Sequence, residues 1–551
     1  MDNKEIASHL KLLGKLMELH DENSFKVRAI QGAVFRIDKY PEALSDLTLE
    51  QLEKHEGIGK GLAQKINELN TKGELEELNY YLSITPSGIL DILKIKGLGP
   101  KKVQTIWNDL GIESLVDLEY ACNENRLIEL KGFGAKTQTE VLKNIAFLNE
   151  SSGKLLYSKA LEISHSLEKT LNSKNIKFEF TGAFRRQEQI IEQIDVLVNV
   201  EDFLNVIENI QAELTAEIIN SKENNAILKI NNLKFKIQNS KFEHFFKDLF
   251  KWTGNELHLQ NFDLTTIENK SFNSEEEIYA HYSLPYILPE LREGLGEIEK
   301  AKDKSIPELI KWADLKGTLH NHSTYSDGVH SLEKMATYAK EIGLEYLGIC
   351  DHSQTAVYAK GLKPERVLEQ HEEIEKLNSK LAPFKIFKGI ESDILSDGSL
   401  DYTEEILKSF DFVVASIHQG FKMDEERATG RLIKAIENPF TSVLGHPTGR
   451  LLLGREGYPI NHKKIIDACA ANNVVIEINA NPLRLDLDWR WHRYALEKGV
   501  LLSINPDAHR KEGFHDMHYG VLIGRKGGLT AKQCLNSFTL QDISQYFNNK
   551  K

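Results

Sequence analysis

Apolar residues recur at helical spacing from the start of the chain. Ile6, Leu10, Leu13, Leu16 and Met17 fall on one face of a 3.6-residue period. Such stretches alternate with glycine-containing turns through residue 150, which predicts a mostly helical region. The pattern then changes. FEFTGAF, IDVLVNV and AILKINNLKFKI, between residues 178 and 237, are rich in β-branched and aromatic residues with period-two alternation, the mark of strands. Residues 296–315 are charged and carry one proline; they predict a linker with a helix inside. From residue 316 onward short apolar runs alternate with amphipathic stretches, the βα repeat of a parallel sheet or barrel.

A chain of 551 residues exceeds what one hydrophobic core supports and predicts three to four domains. With 41% apolar and 27% charged residues, disorder is not the default. The N-terminus MDNKEIASHL lacks the apolar core of a signal peptide. No run is long and apolar enough for a membrane span. The 4 cysteines show no paired spacing, as in a reducing compartment. The expectation is a soluble cytoplasmic protein, monomeric and without a membrane partner. Net charge is −13, and residues 1–150 hold 19 basic against 24 acidic side chains. Nucleic acid bound there must be held by local backbone geometry, not by a basic face. Histidine is uneven: 12 of 19 lie in residues 316–551.

One short pattern occurs three times: Gly57-Ile58-Gly59-Lys60, Gly97-Leu98-Gly99 with Lys101, and Gly132-Phe133-Gly134 with Lys136. Each is Gly-apolar-Gly ahead of a helix. The glycines permit a tight turn that exposes backbone amides at a helix N-terminus, and such amides bind phosphate without reading sequence. The three resemble the helix-hairpin-helix motifs of DNA repair proteins, which implies a grip on the backbone of one DNA strand. The first continues into Leu62-Ala63-Gln64-Lys65-Ile66, which looks like the lyase domain of DNA polymerase beta and its relatives. The resemblance implies that Lys65 forms a Schiff base with an abasic sugar, chemistry that needs a lowered amine pKa.

Residues 181–197 read TGAFRRQEQIIEQIDVL and resemble the family X nucleotidyltransferase signature, Gly-Ser-x-Arg-Arg followed by Asp-x-Asp. Two Mg²⁺ ions need clustered carboxylates, and period two sets both aspartates on one strand face. Asp195 is present. Its partner position is Gln193, the serine position is Ala183, and the third aspartate aligns with Lys236. A cation at a dication site repels it, so little or no Mg²⁺ binding or nucleotidyl transfer is expected. Restoring aspartates at 193 and 236 is expected to recover some polymerisation. Arg185 and Arg186 remain as candidate phosphate contacts.

The C-terminal half carries the strongest signal. Seven apolar runs each lead into polar groups: Leu319 into His320, His322 and Asp327; residues 346–350 into Asp351 and His352; 386–390 into Glu391 and Asp393; 412–417 into His418; 442–445 into His446; 474–478 into Asn479; and 500–504 into Asp507 and His509. Polar groups at successive strand ends are what a βα barrel presents on its working face. Mixed imidazole and carboxylate donors suit Zn²⁺, Mn²⁺ or Fe²⁺. Several such metals acidify water and clamp a phosphodiester.

The stretches LHNHSTYSDG, ICDHS, GIESDIL, ASIHQGF, GHPTGR, EINANP and INPDAH resemble the PHP (polymerase and histidinol phosphatase) domain. That resemblance implies a distorted (βα)7 barrel with three metal ions. The ligands it implies are His320, His322, Asp327, His352, Glu391, His418, His446, Asp507 and His509, with Glu391 as bridge and Glu391, Asp507 and His320 central to catalysis. Asp351 is expected to orient His352. Arg450 and Arg484, just past metal-bearing loops, are candidate phosphate contacts.

In this order the segments resemble bacterial family X DNA polymerases that end in a PHP domain, and the resemblance covers essentially the whole chain. It implies a multidomain α+β and α/β architecture. The segments are a lyase-like helical domain (1–80), a fingers-like helix-hairpin-helix domain (81–150), a palm (151–245), a thumb-like segment (246–300), a linker (301–315) and the PHP domain (316–551). The expected function is metal-dependent hydrolysis of DNA as a 3′–5′ exonuclease, with abasic-site incision or 3′-end trimming as further activities, on gapped, nicked or abasic DNA. The alternatives are an active gap-filling polymerase with proofreading and a small-molecule phosphoesterase of the histidinol-phosphatase type.

Overall fold

The computed structural model describes residues 1, 3–37, 40, 43–55, 57–150, 153–231 and 233–550, without the side chains of residues 4, 35, 36 and 147–150. The chain forms two compact units, Met1–Ile145 and Ala146–Lys551.

The first unit is helical, with long helices at Asn3–Leu19, Ser24–Ile37, Lys60–Lys72, Pro100–Leu110 and Ala135–Glu150. The stripe read from the sequence is its core: Ile6, Leu10, Leu13 and Leu16 are fully buried. Thr48 opens the helix Leu49–Lys54 with a capping box to Gln51, which satisfies amides that the first turn leaves without partners.

The second unit begins with a two-stranded ribbon, β1 (Leu155–Leu156) against β3 (Ile190–Ile191). Beside it stands a five-stranded sheet of β2 (Lys177–Thr181), β4 (Gln193–Asn199), β5 (Glu217–Lys222), β6 (Asn225–Ile230) and β7 (Leu233–Asn239), ordered β2-β4-β7-β6-β5. Only the central β4–β7 pairing is parallel. Ile194, Val196, Phe235 and Ile237 point to a core shared with the helices Tyr157–Ser173 and Phe203–Leu214. The opposite face is covered at one end, where Leu197 packs under Phe245 and Leu249. A smaller helical segment follows, with Phe250, Ile278 and Tyr279 in its core. It buries Arg292, whose guanidinium pairs with Glu275.

Residues 317–505 supply seven parallel strands: β8 (Gly317–Thr318), β9 (Tyr346–Ile349), β10 (Lys385–Asp393), β11 (Phe412–Ser416), β12 (Thr441–Leu444), β13 (Val475–Asn479) and β14 (Leu502–Asn505). They lie in sequence order, β14 to β8. Burial on both faces explains their continuous apolar character. The seam between β14 and β8 is closed by Asn536, which donates to Ile504 O at 2.8 Å and Gly317 O at 3.1 Å, and by a bridge between Asn321 and Ala508. The C-terminal helix Leu540–Lys550 plugs the amino end of the barrel, where Phe547 stacks on Phe412 at 4.9 Å. The carboxyl end is left for chemistry. Among the described residues no helix is long and apolar enough to cross a membrane, and all four cysteines are buried free thiols.

Candidate metal centre

Each barrel strand delivers its polar groups to one rim. His320 and His322 follow β8, with period two aiming both rings inward, and their centroids are 5.3 Å apart. His352 follows β9, Glu391 sits on β10, His418 follows β11, His446 follows β12, and Asp507 and His509 follow β14. All are buried or nearly so.

Glu391 is the hub. Its Oε1 lies 3.3 Å from His320 Nε2, 3.1 Å from His418 Nε2 and 3.0 Å from His446 Nε2. Its Oε2 lies 3.0 Å from His352 Nδ1 and 3.6 Å from His322 Nε2. Asp507 Oδ1 stands 3.0 Å from His322 Nε2 and 3.5 Å from His320 Nε2. Asp327 reaches His509 at 3.3 Å and His352 at 3.6 Å. Donor atoms gather in three overlapping groups: His322, Asp327, His352 and His509; His320, His322 and Glu391; and His352, Glu391 and His418. All nine side chains expected from the sequence therefore converge. Asp507 holds a positive φ of 53°, unusual for a non-glycine residue and typical of strained functional positions.

The electrostatics are those of interleaved cations and anions. Burial alone would pull the His320 imidazole down, but Glu477, Asp507 and Glu391 together lift it well above the ordinary histidine value. His418 is likewise pulled down by burial yet lifted to about 10 by Glu391 and Asp393. Burial and the neighbouring His509 and His352 push His322 down to about 3. Against the penalty of burial, His418, His320 and His352 hold Glu391 well below the usual carboxylate range.

The donor set fits divalent metal ions. His320 Nε2, His352 Nε2 and Glu391 Oε2 are buried and meet only ion-pair contacts of 3.0–3.6 Å, without a hydrogen bond of good geometry, which leaves their lone pairs free for a dication. Imidazole nitrogen with carboxylate oxygen is the set favoured by Zn²⁺, Mn²⁺ and Fe²⁺.

The groups behind this shell were less legible. Glu477 accepts from His320 Nδ1 at 2.7 Å and from the His446 amide at 2.8 Å. Asp393 holds His418 Nδ1 at 2.5 Å. Asn479 donates to Asp507 Oδ2 at 3.1 Å. The missed signal for Glu477 is an acid inside the apolar strand VVIEIN, because an unpaired buried carboxylate is costly.

Asp351 departs from expectation. Its carboxylate accepts from Ser323 N at 2.8 Å, Ser323 Oγ at 2.6 Å and Gln370 Nε2 at 2.6 Å. It anchors the loop that carries His320, His322 and Asp327 and does not orient His352. Arg450 also departs. Its Nε donates to Arg484 O at 3.0 Å, and its other nitrogens bind Asp488 and Leu485 O. The whole guanidinium is spent on the loop 484–488. Arg484 is buried, and its charge helps burial lower the His446 imidazole.

In the five-stranded sheet Asp195 lies directly beside Lys236 on β4 and β7, the neighbour position at which the third aspartate is expected. Gln193 Nε2 donates to Asp195 Oδ1 at 2.8 Å. Gly182, at φ 61°, brings the chain so close that a Cβ would meet Asp195 Oδ2 at 2.6 Å. Among the described residues no group of metal donors forms there. Arg185 and Arg186, expected to face phosphate, are committed elsewhere. Arg185 bonds Thr253 Oγ1 and Glu275 Oε2, each at 2.7 Å. Arg186 bonds Glu293 Oε1 and Thr253 O, each at 2.9 Å.

In the first unit the three hairpins share one geometry. Gly57, Gly97 and Gly132 have φ of 84°, 90° and 88°. The N–H of each central residue, Ile58, Leu98 or Phe133, bonds the carbonyl three residues back at 3.0, 3.2 and 3.1 Å. Gly59, Gly99 and Gly134 face open space at the helix starts, and Lys60, Lys101 and Lys136 are exposed. Lys65 is half-buried and ion-paired with Glu77, so its amine is engaged rather than set alone in an apolar pocket.

Comparison with known proteins agrees with this geometry. Residues 1–75 match the Helix-hairpin-helix domain family, 89–143 the SAM-like Helix-hairpin-helix tandem family and 318–481 the PHP domain family. The chain is 34% identical over 571 aligned residues to the DNA polymerase/3'-5' exonuclease PolX of Bacillus subtilis (strain 168), covering 99% of each chain. It is 28% identical over 243 residues to a probable phosphatase of Thermoanaerobacter sp. (strain X514), covering 42% of this chain and 94% of that protein. A probable phosphatase of Acetivibrio thermocellus is 29% identical over 243 residues, covering 42% and 95%.

Proposed function

The chain belongs to the PolX family, and on that premise we propose that it is a DNA-binding 3′–5′ exonuclease whose barrel hydrolyses phosphodiesters while its palm no longer polymerises. The observation that carries the reading is the convergence of nine buried imidazoles and carboxylates on the carboxyl rim, with donor atoms left unsatisfied. The substrates are gapped, nicked or abasic DNA, and the working unit is a cytoplasmic monomer.

Three ions of Mn²⁺, Zn²⁺ or Fe²⁺ would be held by His320, His322, Asp327, His352, Glu391, His418, His446, Asp507 and His509, and would supply acidified water and Lewis-acid polarisation of the phosphate. The chain's own residues do the rest. Glu391 bridges the donor groups. Glu477 and Asp393 fix the tautomers of His320 and His418 by accepting from Nδ1, which leaves each Nε2 to coordinate. Arg484 brings a buried guanidinium against the scissile phosphate. The hairpins grip the strand through backbone amides and Lys60, Lys101 and Lys136.

Loss of polymerisation is supported by Lys236 beside Asp195 and by the ion pairs that occupy Arg185 and Arg186. The small-molecule reading rests on the phosphatases that match the barrel alone; it leaves the three hairpins without a purpose. The test is an end-labelled gapped duplex incubated with dNTPs and Mn²⁺. Shortening without extension is expected. His320→Ala or Asp507→Ala should abolish shortening while DNA binding persists. Cleavage retained in both variants would remove the site assignment, and templated extension by the wild type would overturn the polymerase reading.

A further inference from the structure

We propose that the loop 353–362 is a wedge: its tip, Val357, enters the terminal base pair of a DNA end and parts it, so that the last nucleotide leaves the stack and its phosphate reaches the metal centre. The inference rests on the nuclease reading given above and adds to it a positioning residue that is not a metal ligand.

The ligands are buried, and the loops that follow the barrel strands form the mouth of the site. A polar centre gains nothing from apolar groups at its mouth. Yet three of these loops carry exposed ones: Val329 after β8, Val357 after β9 and Leu453 after β12 are 44%, 81% and 40% exposed. Among the described residues no large apolar side chain is more exposed than Val357. One exposed valine is ordinary; three around one polar mouth are not. Two of them are tied directly to the ligands. The Val329 amide donates to His509 O at 2.7 Å. Tyr358, next to Val357, has its ring 6.2 Å from that of His352 and 6.5 Å from that of His418.

The loop is stiff enough to act as a wedge. Leu362 N closes its base by donating to His352 O at 2.8 Å, and Ser353 bridges to Leu362. A Cβ at Gly361 would meet Ser353 O at 1.9 Å, so the two arms of the loop touch. Thr355 donates from N to Asp401 Oδ2 at 2.7 Å and from Oγ1 to Asp393 Oδ2 at 3.0 Å; Asp393 is the acid that holds His418. Ala356 and Ala359 are fully buried, which anchors the turn from both sides while Val357 projects from it. A tip fixed in advance loses little freedom on contact.

The chemistry selects a base step as the occupant. The phosphodiester of a paired end reaches buried ligands only if the terminal nucleotide is taken out of the stack. An apolar side chain inserted between bases does this, because it exchanges base stacking for apolar contact and carries no hydrogen bond that would favour one base.

The experiment compares two end-labelled duplexes, one with a paired and one with a mismatched 3′ end, cleaved by the full chain with Mn²⁺. A mismatched end costs less to open, so the wedge matters less there. Val357→Ser should lower the paired-to-mismatched ratio of kcat/KM about tenfold, and Val357→Leu should keep it. In His320→Ala protein, which binds without cutting, the fluorescence of 2-aminopurine at the 3′ terminus should rise on binding, and the rise should be lost when Val357→Ser is added. A wild-type ratio in Val357→Ser, an equal loss on both ends, or a fluorescence rise that survives the substitution would overturn the wedge. Shortening of neither end by the wild type would remove the nuclease reading instead, and the fluorescence measurement would still decide the wedge.

Discussion

Glu477 stands behind the metal centre with four donors on two oxygens: His320 Nδ1, the His446 amide, Asn505 Nδ2 at 3.2 Å and Asn479 Nδ2 at 3.4 Å. Glu477→Gln keeps the volume but removes the charge and replaces one acceptor oxygen by a donor. At least one neighbouring donor then loses its partner, and His320 loses the anion that fixes its tautomer. Losing such an outer partner lowers metal affinity by about 10–100-fold. The measurement is Mn²⁺ titration by calorimetry with bound metal counted by mass spectrometry; unchanged affinity would make Glu477 merely part of the core. At this scale the ligands themselves were legible, because period two and strand ends expose them in the chain. What holds them was not. Asp351 follows an apolar run just as His352 does, and only the fold shows its carboxylate turned to Ser323 and Gln370. Arg450 and Arg484 looked alike in sequence, yet the first braces the backbone of the second.

The strands of the barrel and of the sheet were legible as elements because β-branched runs have one reading when bounded by turns. The exception is β5, an edge strand exposed along most of its length, whose EIINSK has no buried face to write a pattern. The β4–β7 register then decides what reversing the palm substitutions does. Gln193→Asp with Lys236→Asp sets carboxylates at 193 and 236 around Asp195, enough donors for a cation. It does not free Arg185 or Arg186, which remain tied to Glu275 and Glu293. The double variant, in a His320→Ala background, should therefore gain Mn²⁺ binding but no templated extension, in contrast to the recovery that sequence alone leads one to expect. Primer extension by this variant would show that those ion pairs open during turnover.

Pairings between distant segments set the working shape of the second unit, and they were invisible in the chain. Lys526 is buried. It donates to Arg186 O at 2.8 Å and Glu293 Oε1 at 2.5 Å, stands 3.2 Å from Glu188 and lies over the Trp489 ring at 4.4 Å. Its partners are 340 and 233 residues away for Arg186 and Glu293, beyond any local pattern. The same turn of the palm sends Gln189 Nε2 to Leu485 O at 3.3 Å, on the loop that carries Arg484. A signature that elsewhere would face a nucleotide here props the barrel. Lys526→Met removes the one cation shared by Glu188 and Glu293, and breaking a buried pair from one side costs about 3–5 kcal/mol. The pH dependence follows from the carboxyls. Burial raises Glu293, but Lys526 and Arg186 outweigh it and hold the group below its ordinary value, so its contribution is present at neutral pH and lost as pH falls. Burial holds Glu188 above its ordinary value despite Lys526, so its ionised form is a growing cost as pH rises. Without the lysine Glu188 loses its cation and Glu293 keeps only Arg186, so the two carboxylates repel each other at pH 8 and protonation relieves them as pH falls. The deficit of Lys526→Met in thermal unfolding should therefore be largest at pH 8 and shrink toward pH 5. A deficit independent of pH would mean that packing against Trp489, not charge, is what the lysine contributes.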